Sequence, residues 1–249
     1  MAKIKIAVAG CLGRMGQEIS KQILQNKNLE FVGGFEHKKH KDINKPLNKV
    51  SSIHSAKLVT ANAAQLIKDS NVIIDFTTPE STLDNLKIAS ANKTAVVIGT
   101  TGMTDAQKKK VKSYSKKIPI LMSSNMSLGV NLLFNLVKQT ASALKDTDYD
   151  IEIAETHHKH KKDAPSGTAK DLAKFIDKFL DLNTKTKINF IRDESSVGIH
   201  EIKISLDDDE LILTHNAYDR KIFAKGAIKA IEWISSQKPG LYSMQDISF

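Results

Sequence analysis

The feature that most constrains the fold is a set of short, almost unbroken apolar runs in the first half of the chain. Asn71–Thr77 (NVIIDFT), Thr94–Ile98 and Ile118–Met122 lack the alternation of a strand with one wet face, and polar residues bound each of them. Runs of this kind belong to strands buried on both sides. Lys3–Ala9 and Phe31–Phe35 are two further strands, and helical patterns, beginning with Gln17–Gln25, lie between the runs. Strand and helix therefore alternate, which predicts a parallel sheet covered by helices on both faces.

The rhythm changes after Ser127. A long apolar helix, Leu128–Leu144, leads to a strand at Tyr149–Glu155, a histidine-rich loop and a helix over Ser166–Leu180. Three strand-like stretches follow, Lys187–Arg192, Gly198–Leu206 and Glu210–His215, with the acidic turn Asp207-Asp208-Asp209 between the last two. This predicts a second domain built on a mixed, largely antiparallel sheet. The last helix, Arg220–Gln237, carries an apolar stripe at Phe223, Ala227, Ala230, Ile231 and Ile234, the period of a helix docked on a core. It is expected to return to the first domain.

Composition removes several classes. The chain has 249 residues with 41% hydrophobic and 26% charged, enough apolar content for a full core without staples. Its single cysteine, Cys11, excludes a disulfide framework and suits a reducing compartment. The N-terminus MAKIKIAVAG carries lysines inside its apolar run and does not read as a signal peptide. Ile118–Val137 holds 20 residues without a charge, but Pro119 and six Ser or Asn residues argue for a buried strand, a turn and a helix start, so no membrane span is expected. Lys and Arg exceed Asp and Glu by 37 − 28 = 9, which favours anionic partners. Only three of the 37 are arginines, so the forks and aromatic stacking of nucleic-acid readers are not prominent and most lysines read as solvated surface.

Gly10, Gly13 and Gly16 (GCLGRMG) follow a predicted strand and open a helix, the context that gives a glycine pattern meaning for dinucleotide binding. Missing side chains let the backbone approach a pyrophosphate seated on the helix N-terminal amides. The spacing is GxxGxxG rather than GxGxxG, so the match is partial. Glu36 ends the next strand, where a carboxylate can accept from ribose hydroxyls, although it lies 26 residues beyond Gly10 rather than the usual ~20. GTTG (Gly99–Gly102) and Ser123-Ser124-Asn125 end two more strands on the same sheet edge.

A second constellation is ETHHKHKKDAPSGTAKDLA, Glu155 to Ala173. Three histidines (His157, His158, His160) and three lysines (Lys159, Lys161, Lys162) stand just before Pro165-Ser166-Gly167-Thr168, which reads as a helix start whose amides and outward hydroxyls form an anion site. Imidazoles and an ammonium beside such a site suit a polycarboxylate next to a proton donor.

HHKHKKDAPSGTA strongly resembles the signature of the 4-hydroxy-tetrahydrodipicolinate reductase (dihydrodipicolinate reductase) family, and GCLGRMG, DFTTPE, GTTG, SSNMSLGVN and RKIFAKGAIKAIEW are similar to its motifs in the same order. The resemblance spans nearly the whole chain. It implies a Rossmann-type parallel-sheet domain over residues 1–126 and 221–249, and a mixed α+β substrate and oligomerisation domain over 127–220. It also implies a cytoplasmic homotetramer of the diaminopimelate and lysine pathway. The family reduces a cyclic imine dicarboxylate with NADH or NADPH; hydride passes to the ring, and the resulting enamine is protonated on the neighbouring carbon. By motif position, His157 resembles the general acid, and Lys161 the lysine that binds substrate and offsets developing negative charge. His158, Ser166, Gly167 and Thr168 resemble the carboxylate-binding set. Gly10, Leu12, Gly13, Arg14, Met15, Glu36, Gly99, Thr101, Ser123 and Met126 fall where the family meets its dinucleotide. Two departures stand out. His37 replaces an arginine that some members place against the 2′-phosphate of NADPH, with Lys38 and Lys39 as possible substitutes, which points to NADH preference or dual use. Met126 stands where an aromatic is common.

Rival readings are weaker. A metal held by His157, His158, His160 and Asp163 is opposed by the flanking lysines, so no metal is expected. His40, His54, His200 and His215 stand alone and read as surface or packing histidines, with His200 left open. Arg220 reads as a helix-start salt bridge. A nucleic-acid-binding protein would have no use for the glycine loop, and another NAD(P)-dependent reductase of this architecture would not need the histidine signature.

Overall fold

Each apolar run becomes a central strand because neither of its faces meets water. The computed structural model describes residues 2–144, 147–159, 161, 163–180 and 186–247. The elements are β1 (Ile4–Ala9), α1 (Arg14–Gln25), β2 (Leu29–Phe35), α2 (Leu47–Val50), α3 (Ala63–Lys68), β3 (Val72–Asp75), α4 (Pro79–Asn92), β4 (Ala95–Ile98), α5 (Asp105–Ser115), β5 (Pro119–Met122) and α6 (Leu128–Ala143). They continue with β6 (Asp150–His158), α7 (Gly167–Leu180), β7 (Lys187–Asp193), β8 (Gly198–Ser205), β9 (Glu210–Ala217), α8 (Lys221–Ile234) and β10 (Gly240–Tyr242). The chain divides into two compact units, Met1–Met126 with Phe223–Phe249, and Ser127–Ile222.

The first unit is a six-stranded sheet in the order β10-β5-β4-β3-β1-β2, parallel throughout. Every residue of β3 and β4 is buried, which explains why all of them but Asp75 are apolar. The strand order reverses between β1 and β3, so the loops leaving their carboxyl ends flank the crevice where open α/β sheets bind ligands. α1 turns Gly16, Ile19, Ser20 and Ile23 to the core. α8 buries Ala224, Ala227, Ala230, Ile231 and Ile234, and Gly226 lies so close to the Met126 carbonyl oxygen that a Cβ would stand 1.6 Å from it. The chain does more here than its patterning predicts: after α8 it adds β10 alongside β5. Three residues are too few to show a period.

The second unit is a four-stranded mixed sheet, β7-β6-β8-β9. β6 and β7 are parallel, joined through α7, and the β6–β8 and β8–β9 pairs are antiparallel. Residues of α6 and α7 (Val130, Leu133, Phe134, Val137, Leu172, Ile176) pack with Ile153, Ile202 and Ile204 of the sheet. β8 alternates cleanly, with Gly198, His200, Ile202 and Ile204 buried. No helix among the described residues is long and apolar enough to cross a membrane.

Candidate active site

In the first unit, the loop after β1 has the tightness its glycines permit. Gly10 takes a left-handed backbone (φ 66°), and a Cβ there would stand 2.8 Å from Thr77 Cγ2. A Cβ at Gly16 would meet the Gly10 carbonyl oxygen at 2.1 Å. Gly13 is the N-cap of α1 and offers no side chain to its amides, so the helix start at Arg14 and Met15 is left to backbone groups. Glu36, directly after β2, accepts a hydrogen bond from the Leu12 N–H at 2.8 Å. Cys11 is buried, and burial, then the Glu36 charge, push its thiol up to about 12.

The loops after β3, β4 and β5 are tied to one another. Asp75, fully buried, accepts from the Thr77 N–H (3.0 Å), the Thr77 hydroxyl (2.5 Å) and the Asn85 amide (2.8 Å). The Thr100 hydroxyl accepts from the Thr77 N–H at 3.1 Å, joining the DFTTPE and GTTG loops. Gly99 N–H donates to Asp75 O and Ser123 N–H to Ile98 O. The structure thus gathers Gly10, Leu12, Gly13, Arg14, Met15, Glu36, Gly99, Thr101 and Ser123 along one sheet edge. Met126 belongs to the same segment but is 2% exposed, so its side chain is part of the interior.

In the second unit the histidine segment corrects the expectation of a loop. β6 runs on through His158, so His157 and His158 are strand residues, and alternation puts Ile153, Glu155 and His157 on the buried face. His160 and Lys162 lie outside the described residues. Glu155 is 1% exposed; its Oε1 accepts from the Ser166 N–H (2.9 Å) and the Arg192 guanidinium (3.2 Å). Its Oε2 lies 3.4 Å from His157 Nδ1 and 3.8 Å from His200 Nε2, and the two rings meet edge to face at 5.1 Å. Burial works to raise the Glu155 carboxyl, but the Ser166 and Arg192 hydrogen bonds and the His157 charge outweigh it and hold it below its ordinary range. Burial pushes His157 down to about 4; Glu155 opposes this, while Lys161 and Arg192 reinforce it. His200 falls to about 3, again chiefly through burial.

The anion site at the start of α7 also differs from expectation. Ser166 is buried rather than outward-facing, and its hydroxyl caps the helix by accepting from the Ala169 N–H at 3.1 Å; Thr168 is no more buried than His157. The group presented there is the Gly167 N–H, which donates to Asp163 Oδ2 (3.3 Å); Lys161 Nζ lies 2.9 Å from the other oxygen of the same carboxylate. Arg220 precedes α8 and approaches His158 Nε2 at 3.4 Å, not the helix-start ion pair expected. Glu155, Arg192 and His200 are the members that sequence reasoning did not assign. One signal existed: Glu155 is in phase with His157 on an alternating strand. Glu155, His157 and His200 each offer one atom within 4.8 Å of the others, a cation-capable trio different from the histidine set weighed from sequence. The Arg192 guanidinium on the same carboxylate opposes a dication there.

Fold and site together define a class: an oxidoreductase with a Rossmann-type unit and a separate unit that carries a buried acid–base cluster. Residues 4–126 match the family described as "Dihydrodipicolinate reductase, N-terminus" and residues 129–247 its C-terminus counterpart. The chain is 43% identical to the 4-hydroxy-tetrahydrodipicolinate reductase of Pelagibacter ubique (strain HTCC1062), over 99% of this chain and 98% of that one. It is 38% identical to the protein of the same name from Methanocorpusculum labreanum, over 98% of each. A solved structure, dipicolinate-bound dihydrodipicolinate reductase from Paenisporosarcina sp. TG-14, superposes with a TM-score of 0.79 at 27% identity, covering 99% of this chain and 100% of that one. The chain belongs to the dihydrodipicolinate reductase family.

Proposed function

We propose that this chain works by hydride transfer from NADH or NADPH followed by protonation from His157. The reaction is the family's, reduction of 4-hydroxy-tetrahydrodipicolinate to tetrahydrodipicolinate in diaminopimelate and lysine biosynthesis. The observation that carries the residue assignment is His157, buried on β6 against Glu155 and followed closely by Lys161 and the start of α7.

The first unit fits a dinucleotide because its cradle is one that side chains would fill: a Cβ at Gly10 or Gly16 collides with neighbouring atoms. Gly10, Gly13, Arg14 and Met15 would hold the pyrophosphate, Glu36 the ribose, and Leu12, Gly99, Thr101, Ser123 and Met126 the rest. When bound, that group supplies the hydride. Glu36 disfavours a 2′-phosphate, so NADH is preferred, with Lys38 and Lys39 permitting NADPH.

The substrate is a small dicarboxylate. Lys161 and the Gly167 N–H already converge on one carboxylate, that of Asp163, and this supports their use, with His158, Ser166 and Thr168, in holding a substrate carboxylate. His157 is neutral at pH 7 in the free protein; the dianionic substrate offsets the Lys161 and Arg192 charges and raises its proton affinity, coupling acid formation to binding. Lys161 then stabilises negative charge as it develops on the ring.

The exposed Phe190, Ile191, Leu211 and Ile212 on β7 and β9 support assembly through this sheet into a homotetramer. Cys11, a buried free thiol, is in keeping with the cytoplasm. The test is loss of NADH absorbance with substrate formed in situ by a synthase from pyruvate and aspartate semialdehyde, with NADPH in parallel. Substrate-dependent oxidation is expected; cofactor binding without oxidation would overturn the assignment.

A further inference from the structure

His157 Nδ1 and Glu155 Oε2 are two buried polar atoms with no hydrogen-bond partner among the described residues, each other included. They lie 3.4 Å apart. At that distance in a dry site a bare Nδ1 and a carboxylate oxygen repel, whereas a proton on Nδ1 makes the contact attractive, and a small turn of the ring would close it into a charge-assisted hydrogen bond. We propose that Glu155 is the positioning residue for His157: its Oε2 holds the Nδ1 proton, so that Nε2 is the nitrogen that exchanges a proton with substrate. The inference rests on the reading of His157 as the acid.

Three further observations support this division of the ring. The carboxylate is anchored from two other elements, by the Ser166 N–H before α7 and by Arg192 of β7, so Oε2 has a set direction. His200 of β8 is the competing imidazole, but its Nε2 is farther from Oε2, at 3.8 Å, and lies 3.4 Å from the Ser166 hydroxyl. On the opposite side of His157, a Cβ at position 198 would stand 3.0 Å from Nε2, and the residue there is glycine, which leaves that nitrogen room.

The charges around the ring give the carboxylate a second task. Arg192 from β7 and Lys161 from the following loop both oppose a proton on His157, and His200 and His215 from β8 and β9 add no negative charge. Asp163, in the loop, also favours the proton, but less than Glu155 does, and it is half-exposed and paired with Lys161. Glu155 is therefore the buried anion that favours the imidazolium, the form the reaction requires.

The test compares kcat against pH for the wild-type chain, Glu155→Gln and Glu155→Asp, with ring-nitrogen NMR of His157. In the wild type the neutral ring should carry its proton on Nδ1. Glutamine keeps the oxygen that accepts from Ser166 and Arg192 and turns an NH2 toward Nδ1, so the tautomer should invert. Activity of an acid is lost as pH rises through its pKa, and this alkaline limb should move to lower pH by about one unit or more, a tenfold loss of proton affinity. KM should change little, and Glu155→Asp should recover part of the shift. An unchanged limb and tautomer in Glu155→Gln would overturn the proposal, as would an Nε2–H tautomer in the wild type, a measurement that needs no variant to fold. Near-normal turnover of His157→Ala would instead sink the acid assignment itself; slow His157→Ala with an unaltered Glu155→Gln profile sinks only this inference.

Discussion

The Glu36 carboxylate accepts a hydrogen bond from the backbone N–H of Leu12 at 2.8 Å, tying the end of β2 to the glycine loop after β1. A carboxylate held in that way can take ribose hydroxyls but repels a phosphate at the same place. Glu36→Ala should raise the NADPH-to-NADH ratio of kcat/KM by about tenfold, the equivalent of ~1.4 kcal/mol. Initial rates with the two cofactors check this, and an unchanged ratio would show that Glu36 does not face the ribose.

His157→Ala should lower kcat by about 10²- to 10⁴-fold with a smaller change in substrate KM, as expected when proton transfer is lost and binding is kept. Steady-state kinetics at several pH values decide it.

Lys161→Ala should damage both parameters, because in the proposed reaction the ammonium meets the substrate before and during reduction. Thr168→Val should raise substrate KM while leaving kcat nearly intact. The split between KM and kcat in the two variants separates binding from transition-state charge stabilisation.

Gly16→Ala places a methyl group 2.1 Å from the Gly10 carbonyl oxygen, so the glycine loop must shift. A loss of about 1–3 kcal/mol in stability is expected, together with a higher cofactor KM and an unchanged substrate KM. Thermal denaturation and saturation kinetics measure the two effects separately.

Acidification should destabilise the fold in a defined window. His157, at about 4, and His200, at about 3, both lie below the ordinary 6.5, burial being the first cause in each. Between those values and 6.5 the unfolded chain binds more protons, so stability rises with pH and is lost as pH falls from 6.5. Each imidazole contributes a slope of up to about 1.4 kcal/mol per pH unit. Urea midpoints from neutral pH downward should show the fall, and His200→Gln should flatten it.

Much of the first unit could be read from the chain because its signals are local. Val72–Ile74 and Ala95–Ile98 are apolar throughout, and Gly10, Gly13 and Gly16 mark the turn between strand and helix. β10 escaped because three residues carry no period, and its place beside β5 comes from the register with Pro119–Leu121. His157 and His158 read as loop because charged and imidazole side chains, taken singly, signal exposure.

By itself, the sequence determined which segments must be buried strands, where the backbone can turn tightly, and the family to which the motifs belong. Only the tertiary structure decided that Glu155 is an interior anion. A buried carboxylate is tolerable only when donors meet it, and here these come from Ser166, 11 residues on, and Arg192, 37 residues on. Cross-strand register places His200 opposite Glu155 and Arg192 opposite His157. The pattern along one strand records a side chain's phase, but the partners that make its burial affordable are chosen by the fold.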